Sequence, residues 1–332
     1  MALDPSTGAV LALASYPVFN PNKYTTFSGS QLNQIDARYR HSASQPLLNR
    51  ALEATYPPGS TFKIVTSSTA FSGGRYNPDT VVYAPTNLKL PNTSKKLINY
   101  DNEACGSGRV PVIFAFTVSC NTVFGNIGMK LGNSRLRAQA GKFGMNDPHL
   151  SIPLPVAQSN FPPVSAPAFV AYSAIGQYSD TVTPLQEAMF SAAIANHGTL
   201  MKPYMVQKVT APDLTPLVSG QSATLGQAVS PTVARQVARM MRSVVTSSYG
   251  TAHLTAGTGP QASLDIAGKT GTAQNGINNT GLDDAVFTAF APAGNPKIAV
   301  GVVVQGGGLG ADRSAPIAVK IIQAYLAFQA KR

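Results

Sequence analysis

Apolar positions along this chain follow the helical period in its middle and the strand period near its end. Thr183-Pro184-Leu185-Gln186 supplies a cap, a proline at the first helical position and a capping-box glutamine. The helix it predicts runs through Met189, Ile194 and Ala195 to a stop at Gly198. Ser230-Pro231 opens a second helix in the same way. Val233, Val237, Met240, Met241 and Val244 then recur at three-four spacing, so the methionines read as core filling rather than cofactor contacts. After residue 265 the pattern changes to strand-like runs, Ile266 to Gln274, Ala285 to Ala291 and Lys297 to Gln305, with Gly294-Asn295-Pro296 as a hairpin connection. Short joins between consecutive strands imply an antiparallel sheet. Pro316 through Phe328 predicts a terminal helix with Ile317, Ile321, Ile322, Tyr325 and Leu326 toward the core. At the other end, Val10 to Ala14 reads as an opening strand after the Thr7-Gly8 turn, and residues 72 to 112 read as mostly irregular. One mixed domain, helices packed on a sheet, fits this order, and the chain contains no internal repeat or low-complexity linker.

Composition narrows the class. The 332 residues are 44% hydrophobic and 12% charged, enough to bury a large core under a sparsely charged surface. A net charge of +11 raises nucleic acid as a partner, but the 25 Lys and Arg are spread along the chain without a basic stripe or recognised module. Anionic cell-wall polymers or membrane surfaces suit that charge better. No run of about 18 apolar residues spans a bilayer. His41, His149, His197 and His253 are scattered and the two cysteines form no paired motif, so neither zinc nor another metal is expected. No cofactor motif is present either.

The candidate chemistry lies in Tyr56-Pro57-Pro58-Gly59-Ser60-Thr61-Phe62-Lys63. The prolines stop any preceding element, and Ile64, Val65, Ala70 and Phe71 supply the apolar residues of a buried helix, so Ser60 falls at a helix start. There its oxygen lies near unpaired N–H groups and the positive end of the macrodipole. Residues i and i+3 share a helix face, which lets the Lys63 amine reach the Ser60 hydroxyl. A lysine acts as a base only when burial and nearby cations lower its pKa. Taken alone, Ser-x-x-Lys is a weak signal that many capped helices carry by chance.

Two further motifs follow in order, Ser119-Cys120-Asn121 and Lys269-Thr270-Gly271-Thr272. Together with Ser60 and Lys63 they resemble the Ser-x-x-Lys, Ser-x-Asn and Lys-Thr-Gly set of penicillin-binding proteins and serine β-lactamases. Further matches lie in Asp4 to Ala12, Asn49-Arg50-Ala51, Gly176-Gln177, Val182 to Gln186 and Ala267 to Gln274. Over nearly its whole length the chain resembles a class B penicillin-binding protein. The resemblance implies an α+β transpeptidase fold spanning residues 1–332, an antiparallel five-stranded sheet flanked by helices with a mostly helical lobe and the nucleophile at their junction. It implies a peptidoglycan D,D-transpeptidase that cross-links stem peptides ending in D-Ala-D-Ala, is acylated by β-lactams and serves septal wall synthesis. Ser60 would be the nucleophile and Lys63 its base. Ser119 would relay a proton to the leaving D-alanine, and Asn121 would hold the substrate amide and steady Lys63. Lys269 would keep Lys63 neutral and attract the substrate carboxylate, with Thr270 and Thr272 hydrogen-bonding it and Gly271 leaving room for a backbone beside the strand. The N–H groups of Ser60 and Thr272 would form the oxyanion hole. The resemblance also implies an N-terminal membrane anchor and pedestal upstream, placement at the extracytoplasmic face of a bacterial membrane, and division proteins as partners.

Alternatives within and beyond that family differ in the fate of an acyl-enzyme. A class A β-lactamase needs a Glu-x-x-x-Asn segment between the second and third motifs. The only glutamate there is Glu187, with Ser191 at the partner position, and the chain has no tryptophan of the kind that shields a class D site. A D,D-carboxypeptidase would share every residue named. A β-lactam sensor would be acylated once and never turn over. Cys105 and Cys120 leave two readings open, a disulfide or two buried thiols, because spacing alone does not fix geometry.

Overall fold

A computed structural model describes residues 1–220, 222–274 and 281–331. Its organising element is a five-stranded sheet that brings the two ends of the chain together. The strands are β1 (Ala2–Leu3), β2 (Val10–Ala12), β3 (Ala267–Ala273), β4 (Asp284–Ala291) and β5 (Ile298–Val304), in the order β3-β4-β5-β1-β2 with every neighbouring pair antiparallel. The C-terminal strand runs match the sequence pattern to within a residue or two. The Val10 strand is not the first element, however. Ala2–Leu3 precedes it and pairs with both β5 and β2, a two-residue strand too short to show periodicity.

The described helices of the chain are α1 (Gly29–Arg40), α2 (Lys63–Ser72), α3 (Val112–Thr117), α4 (Asn121–Leu131), α5 (Asn133–Lys142), α6 (Pro167–Ser173), α7 (Pro184–Ala195), α8 (Pro231–Thr246), α9 (His253–Ala256) and α10 (Ser314–Gln329). Both α7 and α10 pack on β4 and β5 without packing on each other, which places them on opposite faces of the sheet. Helix α2 is the centre of the helical lobe. Nine of its ten residues, Lys63 through Phe71, are buried, and it packs against α4, α5 and α8. Just ahead of it, Phe62 stacks on Phe161 at 5.0 Å and meets Phe190 edge-on at 6.5 Å. Each such buried ring contributes on the order of 2–3 kcal/mol by area alone, which anchors the start of α2 from behind.

The capping signals hold in part. Thr183 accepts from the Gln186 N–H and Ser230 from the Val233 N–H, as their sequences predict. Gln186 does not close a capping box: its side-chain amide donates to the Phe143 carbonyl at 2.7 Å, because α7 is buried along its whole length and a deep polar group goes to the orphan carbonyl within reach. The terminal helix keeps most of its predicted face: Ile322 is buried, and Ile321, Tyr325 and Leu326 pack partly buried against the core. Ala315, Ala318 and Val319 complete that face, the small alanines letting the helix approach the sheet, and of the predicted residues Ile317 alone is exposed, at 43%. Residues 72 to 112 contain two small pairings, Val81–Tyr83 with Arg109–Pro111 and Asn87–Lys89 with Lys96–Ile98, each too short to stand out as a period. Among the described residues no helix is long and apolar enough to cross a membrane.

Candidate active site

Ser60 sits in a single 3-10 turn, Gly59–Phe62, that feeds directly into α2. Gly59 makes the turn possible: its φ of +55° is left-handed, and its N–H donates to the Gly176 carbonyl at 2.9 Å. A Cβ on Gly59 would lie 2.9 Å from the Thr272 carbonyl oxygen, so the nucleophile turn is pressed against the end of β3. That contact brings the backbone around Ser60 next to the backbone around Thr272, the arrangement an oxyanion hole requires.

Lys63 is fully buried and its amine has four oxygen neighbours: the Ser119 carbonyl at 2.7 Å, Asn121 Oδ1 at 2.7 Å, Ser60 Oγ at 3.0 Å and Ser119 Oγ at 3.2 Å. The first two can only accept. A neutral amine has two hydrogens, and these two acceptors use both, leaving the nitrogen lone pair for the Ser60 hydroxyl. Burial, and then the charge of Lys269, lower the Lys63 pKa well below its ordinary value, which favours that neutral form. An amine held this way can take a proton from Ser60. Asn121 is oriented by its other end, with Nδ2 donating to the Ile98 carbonyl at 3.2 Å, so its carbonyl oxygen must be the end facing Lys63.

Ser119 lies between α3 and α4 with a left-handed φ of +60°. The Cys120 N–H donates to the Ala115 carbonyl at 2.7 Å, and Cys120 is bonded to Cys105, so the disulfide alternative is the one found. Lys269 Nζ is fully buried and donates to Ser119 Oγ at 2.9 Å and to the Thr270 carbonyl at 3.0 Å, while burial lowers its pKa to about 7. One hydroxyl therefore joins the two amines. This makes Ser119 a natural proton conduit, since it can receive from either lysine and give to a group in the cleft.

On β3 the roles split by face. Thr270 and Thr272 line a cleft of about 660 Å³ with Ser60, Ser119, Asn121 and Gln177. Gly271 lets a backbone pass closely beside the strand, and that backbone is the chain's own: a Cβ there would lie 2.9 Å from the Pro58 carbonyl oxygen and 3.2 Å from the Thr61 methyl, so the turn carrying Ser60 packs into the room. The Thr270 hydroxyl meets Thr251 Oγ1 at 2.6 Å. Asp101, Glu103 and Asp283 also line the cleft, as does Lys96.

All five motif side chains converge, with Ser60, Lys63, Ser119, Asn121 and Lys269 joined in one hydrogen-bonded cluster. Sequence reasoning missed Thr251, which no motif marks, and gave Gln177 no site role, although its amide reaches the Thr272 carbonyl at 3.4 Å. Glu187 is off the cleft. It lies buried behind the nucleophile turn with Thr61 Oγ1 at 2.8 Å, so it cannot activate a water in front of Ser60 as a class A β-lactamase requires.

Comparison with known proteins agrees with this geometry. The family model of the penicillin binding protein transpeptidase domain matches residues 1–323. The peptidoglycan D,D-transpeptidase PbpA of Mycolicibacterium smegmatis is 38% identical over 98% of this chain, and the chain spans 66% of that relative's length. A structure of penicillin-binding protein A from Mycobacterium tuberculosis, in a ceftriaxone acyl-enzyme complex, superposes with a TM-score of 0.92 at 36% identity, covering 97% of this chain and 72% of the other. The D,D-transpeptidase domain of a peptidoglycan glycosyltransferase from Eggerthella lenta gives 0.87 at 31% identity, covering 100% and 78%. With its serine, two lysines and edge strand so arranged, the chain belongs to the penicillin-binding protein transpeptidase domain family.

Proposed function

We propose that this chain is the acyl-transfer domain of a peptidoglycan D,D-transpeptidase. The observation that carries the reading is the Lys63 amine, whose two hydrogens are used by the Ser119 carbonyl and Asn121 Oδ1 while Ser60 Oγ waits at 3.0 Å. Lys63 takes the Ser60 proton as Oγ attacks the carbonyl between the last two D-alanines. The Ser60 and Thr272 N–H groups bind the oxyanion. Ser119, fed by the lysines, returns a proton to the departing D-alanine amine as the C–N bond breaks. Lys269, Thr270 and Thr272 hold the terminal carboxylate of the donor. An amine of a second stem peptide then attacks the acyl-enzyme, loses its proton to the same cluster and releases Ser60 with a new amide bond. A β-lactam follows the first half of this course and stays attached.

The three carboxylates in the cleft lining, Asp101, Glu103 and Asp283, outweigh the Lys96 that lines it too and support an amine acceptor over water, because such an amine arrives as a cation. A disulfide between Cys105 and Cys120 accords with an oxidising extracytoplasmic compartment. Septal wall synthesis, division-protein partners and an upstream membrane anchor are the finer parts of the proposal and rest on the class B resemblance. The test is a donor peptide ending in D-Ala-D-Ala supplied with and without an acceptor amine. Cross-linked product formed only by protein with Ser60 intact supports the reading, and release of D-alanine with no cross-link at any acceptor concentration points to the carboxypeptidase alternative.

A further inference from the structure

Thr61, the residue between nucleophile and base on the turn, has one hydroxyl hydrogen and two acceptors for it. Its Oγ1 lies 2.8 Å from the Pro58 carbonyl oxygen and 2.8 Å from Glu187 Oε1. The Pro58 carbonyl can only accept. If the Thr61 hydrogen goes there, the short contact with Glu187 needs a hydrogen from the Glu187 side, and a carboxylate has none. Glu187 is fully buried, and its Oε2 has no hydrogen-bond partner among the described residues, a tolerable state for a neutral acid and a costly one for an ion. We propose that Glu187 is a positioning residue held as a neutral carboxylic acid, donating through Thr61 to the Pro58 carbonyl and so fixing the turn that presents Ser60. This deepens the acyl-transfer reading of the site and rests on it.

The surroundings fit a neutral acid. Helix α7 packs on β4, β5, β1 and α8. The ionisable groups on these and on the adjoining site elements are Asp284 on β4, the Met1 amino group beside β1, the arginines Arg235, Arg239 and Arg242 of α8, Lys63 on α2 and Lys269 on β3, while β5 has none. No ion pair joins any of them to Glu187 among the described residues, and Arg239 and Arg242 are engaged elsewhere, with Asp79 and Asp265. Burial raises the Glu187 pKa to about 8, against a smaller opposing effect of the Thr61 hydrogen bond. On ionisation Thr61 would lose one of its two contacts, and a negative charge behind the turn would favour the protonated form of Lys63. Both effects slow attack by Ser60.

Glu187→Gln separates this role from bulk packing, because its amide donates to Thr61 at every pH and never ionises. The experiment follows benzylpenicillin adduct formation by intact-protein mass spectrometry from pH 6 to pH 9.5 for the native chain, Glu187→Gln and Glu187→Ala. At pH 7 the glutamine variant is expected to acylate within about threefold of the native rate and the alanine variant at least about tenfold slower. Between pH 7 and pH 9 the native rate should fall about tenfold further than that of Glu187→Gln, as the acid ionises. Superimposable profiles of the native chain and Glu187→Gln, or a glutamine variant as slow as alanine at pH 7, would overturn the proposal while leaving Ser60 as nucleophile. Absence of any adduct on the native chain would overturn both.

Discussion

Gly59 and Gly176 meet backbone to backbone: the Gly59 N–H donates to the Gly176 carbonyl at 2.9 Å, and a Cβ on Gly176 would stand 2.1 Å from the Gly59 carbonyl oxygen. The loop after α6 thereby grips the turn that carries Ser60, which β3 also contacts through Thr272. Gly176→Ala faces both that clash and a left-handed φ of +73°. It should cost at least about 2 kcal/mol of stability and slow acylation, since the turn can yield only by moving Ser60. Thermal unfolding with labelling by a fluorescent penicillin checks both, and unchanged labelling would mean that the turn is held elsewhere.

Lys63→Ala should retain the fold and lower Ser60 acylation by about 10²–10⁴, the usual contribution of a positioned base. Circular dichroism and adduct formation at neutral pH test this together. A variant that acylates at near-native rate would remove Lys63 from the mechanism.

The acylation rate of the native chain should fall on the acid side as Lys63 gains a proton. Lys269 contributes to holding the Lys63 pKa down, so Lys269→Gln removes that charge and lets the Lys63 pKa rise. The acid limb of the profile should then move to higher pH. A limb that stays in place, or moves lower, would show that burial alone sets the charge of Lys63.

The Cys105–Cys120 bond, closing a sequence separation of 15, braces the segment that carries Ser119 and Asn121. In the chain-entropy view a loop of that size contributes about 3 kcal/mol. Replacing both cysteines by serine should lower the unfolding temperature and weaken acylation together, and the same fall should follow reduction of the native chain.

Glu187 also ties stability to pH. Its folded pKa of about 8 lies above the unfolded value of 4.5, so the folded state holds the proton more tightly. The contribution is fully present below pH 4.5, is lost as pH rises through about 8 and is flat above that. Glu187→Gln lacks this dependence. The unfolding temperature of the native chain should therefore decline relative to the variant between pH 5 and pH 8, and a constant difference would contradict a buried neutral acid.

Local signals were sufficient where a residue's partner is near in sequence. The three-residue spacing of Ser60 and Lys63, the Thr183 and Ser230 caps and the run from Ala267 to Ala273 all express short-range geometry, and the structure reproduces them. Long-range relationships were not legible. Thr61 and Glu187 lie 126 residues apart, and although the Ser191 spacing argues against a water activator, nothing local places Glu187 behind the turn. The same holds for Thr251 against Thr270 and for Gly271, whose missing side chain accommodates Pro58 and Thr61 from a distant part of the chain. On α10 the predicted face holds for Ile321, Ile322, Tyr325 and Leu326, while the exposure of Ile317 and the burial of Ala315 and Ala318 depend on close approach to the sheet, which periodicity does not express.

The central claim is that Ser60 is a nucleophile activated by a neutral Lys63. It is tested most directly by intact-protein mass spectrometry after mixing with benzylpenicillin, followed over hours, with Ser60→Ala alongside. A single long-lived adduct of the drug's mass, mapped to Ser60 and absent from the variant, is the predicted result. An adduct of equal size on Ser60→Ala, or none on the native chain, would contradict it.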